Sequence, residues 1–171
     1  EIIGLEKKFK KKVFVVFQHR LNPGVNEIRQ TIKKKLGKVF LISSRLYWSR
    51  DEQYYKKGKW RGTWKHDGGV TTNQGIHTLD LISNLFGDFQ SVYARASKIS
   101  KHVEAEDLSV VSLKFKSGEI CNMEFTTAVK PSNIENSITI LGSKGFLKLS
   151  GKNFNEYSSS FTKNIKKIDT S

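Results

Sequence analysis

The sequence predicts an α+β fold, a mostly antiparallel open sheet with helices on one face, and three observations carry that expectation. Beyond Phe89 the chain is a series of short alternating runs separated by turn residues, the pattern of antiparallel strands. Only two long stretches before it show the three-and-four spacing of an amphipathic helix. With few helices available, the sheet is covered on one face only.

In chain order, residues Ile2 to Lys10 read as a short amphipathic helix and Val13 to Gln18 as an apolar strand. Asn22 precedes Pro23, the favoured order of a helix cap and first turn, so a helix is expected over Pro23 to Lys35. Val25, Ile28, Ile32 and Leu36 form its inward face, and Gly37 ends it. Val39 to Trp48 reads as a long strand with Arg45 and Tyr47 on one side. A second helix is expected over Val70 to Phe86, with Ile76, Leu79, Ile82, Leu85 and Phe86 inward. Strands follow at Gln90 to Ser97, Leu108 to Lys116, Glu119 to Thr127, Ser137 to Leu141 and Gly145 to Leu149. Val111, Leu113 and Phe115 share one strand face, as do Cys121, Met123 and Phe125, while the alternate positions are mixed. From Ser150 onward Ser, Asn and Lys dominate, which predicts a poorly ordered polar tail or a segment cut short.

Composition narrows the class. The 171 residues, 37% hydrophobic, supply one core without disulfide staples. The single cysteine, Cys121, excludes an internal disulfide and is read as a small buried hydrophobe in a strand, consistent with a cytoplasmic location. No apolar run approaches the roughly 20 residues that span a bilayer, so no membrane role is expected. The net charge of +14, from 30 basic and 16 acidic residues, draws anions. The lysines cluster at Lys7 to Lys12, Lys33 to Lys35, Lys56 to Lys59 and Lys163 to Lys167. These separated runs come without a reading helix or aromatic ribonucleoprotein strand, which argues against a nucleic-acid partner. Four scattered histidines, with no H-x-x-x-H and no Cys-x-x-Cys, argue against a metal.

The informative stretch runs from Gly58 to Asp80. On the second helix Asn73, His77 and Asp80 are spaced by four and three residues and are expected to stack on its polar side. Gly68 and Gly69 lead into that helix and would let a ligand approach its first N–H groups. Upstream, Trp60, Arg61 and Trp64 place a cation between two indoles, a combination suited to a sugar ring or a phosphate.

Here the sequence resembles the glucose-fructose oxidoreductase/inositol dehydrogenase/MocA family of nicotinamide-dependent oxidoreductases. The matching residues are Gly68, Gly69, Asn73, Gly75, His77 and Asp80 of a G-G-x-x-x-D-x-G-x-H-x-x-D stretch, with Asn73 where much of the family has Asp. Gln18 to Gly24 resembles the crossover from the nucleotide domain, and Leu141 to Gly145 a late turn, so the likeness extends over Val13 to Gly151. The runs N-Q-G-I-H-T-L-D-L and W-R-G-T-W are most similar to the branch that oxidises UDP-linked N-acetylglucosaminuronic acid in surface polysaccharide synthesis. The chain has neither G-x-G-x-x-G nor Glu-Lys-Pro, the cofactor fingerprint and catalytic-Lys motif of such enzymes. The resemblance therefore implies the C-terminal domain of a two-domain dehydrogenase. Residues 1–20 would be the last helix and strand of a missing dinucleotide-binding domain, 21–150 the substrate-binding and oligomerisation domain, and 151–171 the tail.

On that basis the expected chemistry is oxidation of a sugar hydroxyl, with NAD or NADP held mainly by the missing domain. An imidazole with a pKa of about 6.5 suits proton removal near neutrality, which makes His77 the base. Asp80 would orient its ring, and Asn73, an amide and hence no proton carrier, would hydrogen-bond substrate or nicotinamide. Arg20 and Arg61 are candidates to clamp a carboxylate or phosphate, Arg20 alternatively an interdomain strut, and Trp64 and Tyr47 complete the substrate wall. The partners implied are a nucleotide sugar and further copies of the chain, as a homodimer or homotetramer through the sheet. The alternative is a non-catalytic sugar-nucleotide-binding or oligomerisation module.

Overall fold

The computed structural model describes residues 1–162 and 164–167; Lys163 and residues 168–171, the end of the expected tail, lie outside them. Eight strands form one sheet in the order β2-β3-β4-β1-β5-β6-β7-β8. They are β1 (Val39–Tyr47), β2 (Phe89–Ser97), β3 (Leu108–Phe115), β4 (Ile120–Thr126), β5 (Glu135–Gly142), β6 (Gly145–Ser150), β7 (Glu156–Ser159) and β8 (Lys166–Lys167). Every pairing is antiparallel except that of β1 with β4. The α+β open sheet expected from the sequence is the fold observed.

Strand β1 sits centrally, with Ile42 opposite both Cys121 and Ile140. Ile42, Leu46, Leu113, Phe115, Met123, Phe125, Ile138 and Leu147 point to one side and are buried there. Two helices cover that side. The first, α2 (Pro23–Lys34), begins where the Asn22 side chain accepts the Gly24 N–H at 2.8 Å, and it buries Val25 and Ile28. Its end is held by the β5–β6 turn, where the Lys144 N–H donates to the Leu36 carbonyl at 3.1 Å. Cys121 is fully buried among these residues, and burial pushes its thiol up to about 12, so it is a packing residue.

The second covering helix differs from its expected form. It opens with a π turn, Thr71–Gly75, and continues as α4 (Ile76–Phe86). The wide turn rotates the buried side onto Gly75, Thr78, Leu81 and Ile82, leaving Ile76, Leu79, Leu85 and Phe86 half-buried. Gly75 permits this because it lies against Phe125, whose ring carbon a Cβ would meet at 2.6 Å.

Three further differences have physical causes. Val13 to Val16 form no strand and are 53–82% exposed, because no neighbouring strand among the described residues offers their backbone a partner. The helix before them, α1 (Ile2–Phe9), forms as expected but buries nothing. The expected polar tail carries two strands: β7 pairs with β6 and β8 with β7, and Phe154 and Tyr157 close the core. Tyr157 lies 3.2 Å from the Thr31 hydroxyl of α2, an isolated aromatic pair outweighing a polar neighbourhood. A short helix absent from the sequence reading, α3 (Glu52–Lys56), is capped by Asp51, which accepts the Tyr54 N–H at 2.8 Å. Among the described residues no helix is long and apolar enough to cross a membrane.

Phe154 has no exposed surface and belongs to the same core as α2. Phe154→Ala is therefore expected to lower the unfolding free energy by about 3–5 kcal/mol in urea denaturation, where a disordered tail would show no change.

Candidate functional site

The π turn and α4 direct their polar side chains to two different places. Asn73 does not stack with His77. Its amide donates to one Asp67 oxygen, while the other accepts the Gly62 N–H at 2.7 Å. Gln74 donates to Asn73 at 2.6 Å and to the Tyr54 hydroxyl at 3.3 Å. This network ties the π turn to the loop between α3 and Gly69. The extra residue per turn of the π geometry separates Asn73 from His77, which the three-and-four count had placed together.

Nor is the start of this helix open to a ligand. The Glu106 carboxylate lies where a Cβ on Gly69 would sit, and it accepts the Thr71 N–H at 3.3 Å. The Val70 N–H donates to the Glu106 carbonyl at 2.8 Å. The space left beside Tyr54, Asp67 and Asn73 is about 20 Å³, room for a water. The glycine pair admits Glu106 of the chain itself in place of a substrate anion.

His77 and Asp80 face the other way, onto a 3-10 turn at Gln18–Leu21. The His77 ring lies 5.4 Å from His19 and 6.3 Å, edge on, from Phe17, and His19 packs edge on against Phe154 at 4.9 Å. Arg20 donates through Nε to Asp80 at 2.7 Å and through Nη2 to the other carboxylate oxygen. That bond raises the Arg20 pKa. Asp80 is thus engaged by Arg20 and makes no hydrogen bond to His77. The Arg20–Asp80 fork ties the crossing segment to α4. The Nδ1 atoms of His77 and His19 are both buried without a partner.

The remaining candidates separate as well. Arg61 lies in the loop with its guanidinium 4.4 Å from the Tyr54 ring and 5.2 Å from Trp60, and Trp64 is 62% exposed beside it. Tyr47 is on the opposite face of the sheet, because Leu46 next to it points into the core. Its hydroxyl donates to Glu124, and burial, followed by that carboxylate, pushes the phenol up to about 12. His19 and Arg50 were missed by sequence reasoning. His19 stands inside the crossover Gln18 to Gly24, and Arg50 two residues beyond Trp48, at the alternation of the strand.

This arrangement is a histidine-bearing helix packed with a crossing segment on one face of an open, mostly antiparallel sheet, an α+β domain. The chain belongs to the family described as the GFO/IDH/MocA C-terminal domain, which it matches over residues 25–148. Two solved relatives are the WlbA dehydrogenases of Bordetella pertussis and Chromobacterium violaceum, each in complex with NADH and UDP-GlcNAcA. The first is 30% identical, with 99% of this chain and 48% of that chain covered and a TM-score of 0.84. The second is 34% identical, with 100% and 48% covered and a TM-score of 0.83. An inositol dehydrogenase homolog of Azotobacter vinelandii complexed with NAD+ shares the fold at 14% identity over 93% of this chain and 44% of its own, TM-score 0.75. An uncharacterised Saccharomyces cerevisiae protein is 30% identical over 99 residues, 58% of this chain and 26% of its own length. The chain thus spans about half the length of these solved relatives and about a quarter of the yeast protein.

His19 is held below its ordinary value of 6.5, by burial first and by the neighbouring His77 second, with Asp80 opposing. The unfolded chain therefore binds the proton more readily than the folded one. Stability is expected to be full above about pH 6.5 and to fall as the pH drops toward the depressed value. His19→Gln should flatten that part of the pH–stability profile in urea titrations, with Arg20, Asp80 and His77 unchanged around it.

Proposed function

We propose that this chain is the substrate-binding C-terminal part of an NAD(P)-dependent enzyme that oxidises a sugar hydroxyl, with His77 as its base. The observation that carries the reading is the burial of the His77 Nδ1 against the crossing segment. It leaves Nε2 as the nitrogen through which the ring meets a hydroxyl, and a base acting there requires the tautomer with hydrogen on Nδ1. In the oxidation, the O–H proton passes to Nε2 as the carbon–oxygen double bond forms and hydride leaves the same carbon. A bound nicotinamide supplies hydride acceptance. This chain contains no G-x-G-x-x-G turn, so none of its residues is assigned to the cofactor pyrophosphate. Asp80 acts through Arg20, fixing α4 against the segment that leads to the cofactor domain, and Asn73 fixes the start of the helix.

The nucleotide-sugar substrate is favoured by the 30–34% identity to the two WlbA dehydrogenases over essentially the whole chain. A nucleotide-sugar substrate fits a cytoplasmic enzyme of surface polysaccharide synthesis. Residues 1–20 are assigned to the end of the cofactor domain, because Ile2, Ile3, Phe9, Phe14 and Val15 are 60–82% exposed and need an apolar surface to cover them. The open face of the sheet is assigned to pairing with a second copy. Cross-strand neighbours Ile120, Leu41, Leu141 and Phe146 form an apolar row across it, with Lys114 at one end.

His77→Ala in the full-length enzyme is expected to lower kcat by about 100-fold or more while its circular dichroism is retained; unchanged turnover would exclude His77 as the base. Ile120→Lys, at a position 47% exposed in the single chain, is expected to shift the oligomer to a smaller species in sedimentation velocity, and an unaltered distribution would place the interface elsewhere.

A further inference from the structure

Beyond the end of β1 the chain builds a ladder of alternating aromatic rings and guanidinium groups. Arg50 lies 4.8 Å from the Trp48 ring and 5.0 Å from Tyr54. Arg61 lies 4.4 Å from that same Tyr54 ring and 5.2 Å from Trp60. Among the described residues neither guanidinium has a carboxylate within 4.0 Å, and the Nε of each is buried without a partner. Each donates only to a backbone carbonyl, Arg50 to Ser49 at 2.8 Å and Arg61 to Tyr54 at 3.2 Å. Two cations held over rings and left without counter-charge retain their capacity to bind an anion.

Arg50 lines an open cleft of about 780 Å³ whose far wall is the loop Lys130 to Asn133. The wall is fixed in place. The Ser49 N–H donates to Asn133 at 2.8 Å, and the Ser49 hydroxyl donates to the Pro131 carbonyl at 3.2 Å. Lys130 reaches the Arg50 carbonyl at 3.3 Å, which brings a second cation to the cleft. Asp51 is the one carboxylate of the lining, and its Oδ1 already accepts the Tyr54 N–H as the cap of α3. The Tyr54 hydroxyl accepts from Gln74, three residues before His77, so the cleft is wired to the helix that carries the base.

We propose that this cleft binds a diphosphate group through Arg50 and Lys130, the ring ladder holding the arginine edge in place, and that it takes the nucleotide-linked end of the substrate. The assignment rests on the sugar-nucleotide reading for its biological ligand, but diphosphate binding has a readout independent of turnover. NMR spectra of the 171-residue chain are titrated separately with inorganic pyrophosphate, orthophosphate, UDP and uridine. Pyrophosphate and UDP are expected to shift the Trp48 indole and Arg50 Nε–H resonances saturably, orthophosphate more weakly, and uridine not at all. Arg50→Gln and Lys130→Gln are each expected to weaken UDP binding at least about tenfold, the loss of one charge-assisted partner. Lys130 is exposed, so its variant keeps the fold even where Arg50→Gln does not. His77→Ala is expected to bind UDP as the wild type does. Absence of saturable shifts at millimolar UDP, equal binding of uridine, orthophosphate binding as tight as pyrophosphate, or wild-type affinity in Lys130→Gln would each overturn the assignment. Loss of sugar oxidation alone would not, since that outcome bears on His77.

Discussion

The contact between Gly75 and Phe125 governs how the site is laid out. A helix backbone approaches a sheet this closely only where no Cβ intervenes, and a Cβ here would come within 2.6 Å of the ring. The close approach coincides with the π turn at Thr71–Gly75, and the turn sets the rotation of everything after it. Asn73, before the glycine, is delivered to the Asp67 loop, while His77 and Asp80, after it, are delivered to the crossing segment. An uninterrupted α-helix would have presented all three to one ligand. One missing methyl group thus accompanies the separation of Asn73 from His77 and Asp80.

The polar groups around that helix are arranged to spend little of their charge on solvent. Arg20 and Asp80 meet by two parallel hydrogen bonds, with the carboxylate side chain only 9% exposed, and such a fork fixes direction as well as distance. Glu106 occupies the entrance to the π turn and satisfies its first N–H groups from within the chain. Both devices use carboxylates to hold backbone elements, while the buried Nδ1 atoms of His77 and His19 are left without a partner.

Much of the fold was legible because its residues obey local rules. The Asn22-Pro23 cap, the spacing of Val25 and Ile28, and the strict alternation of β3 and β4 each specify their element without knowledge of the rest. What was not legible depends on partners far along the chain. Val13 to Val16 have strand residues, yet a strand needs a neighbour to pair with. Phe154 and Tyr157 stand among polar residues, and only the position of α2 reveals that they close the core. In the site, His77 could be found from its helix, but Asn73 was misplaced by a period of 3.6 that the π turn breaks. Which face of the sheet Tyr47 occupies is known only once the sheet is covered. Arg50 carried no motif; its meaning comes from two rings brought to it by α3 and β1.

The same distinction applies to charge. A net +14 describes a field, and most of its sources are lysines on flexible stems in water. Three of the four lysine ion pairs among the described residues, Lys56 with Glu52, Lys116 with Asp88 and Lys166 with Glu27, lie at the surface, where salt and side-chain entropy cancel most of their attraction. Such charges raise the local concentration of anions but do not choose among them. Arg50 and Arg61 are different because ring faces restrict their planes before any ligand arrives. A planar donor fork whose orientation is already fixed loses less entropy on meeting a phosphate than a free ammonium does. Selectivity in the proposed diphosphate cleft therefore rests on the Arg50 guanidinium beside Lys130, and the numerous surface lysines contribute long-range attraction.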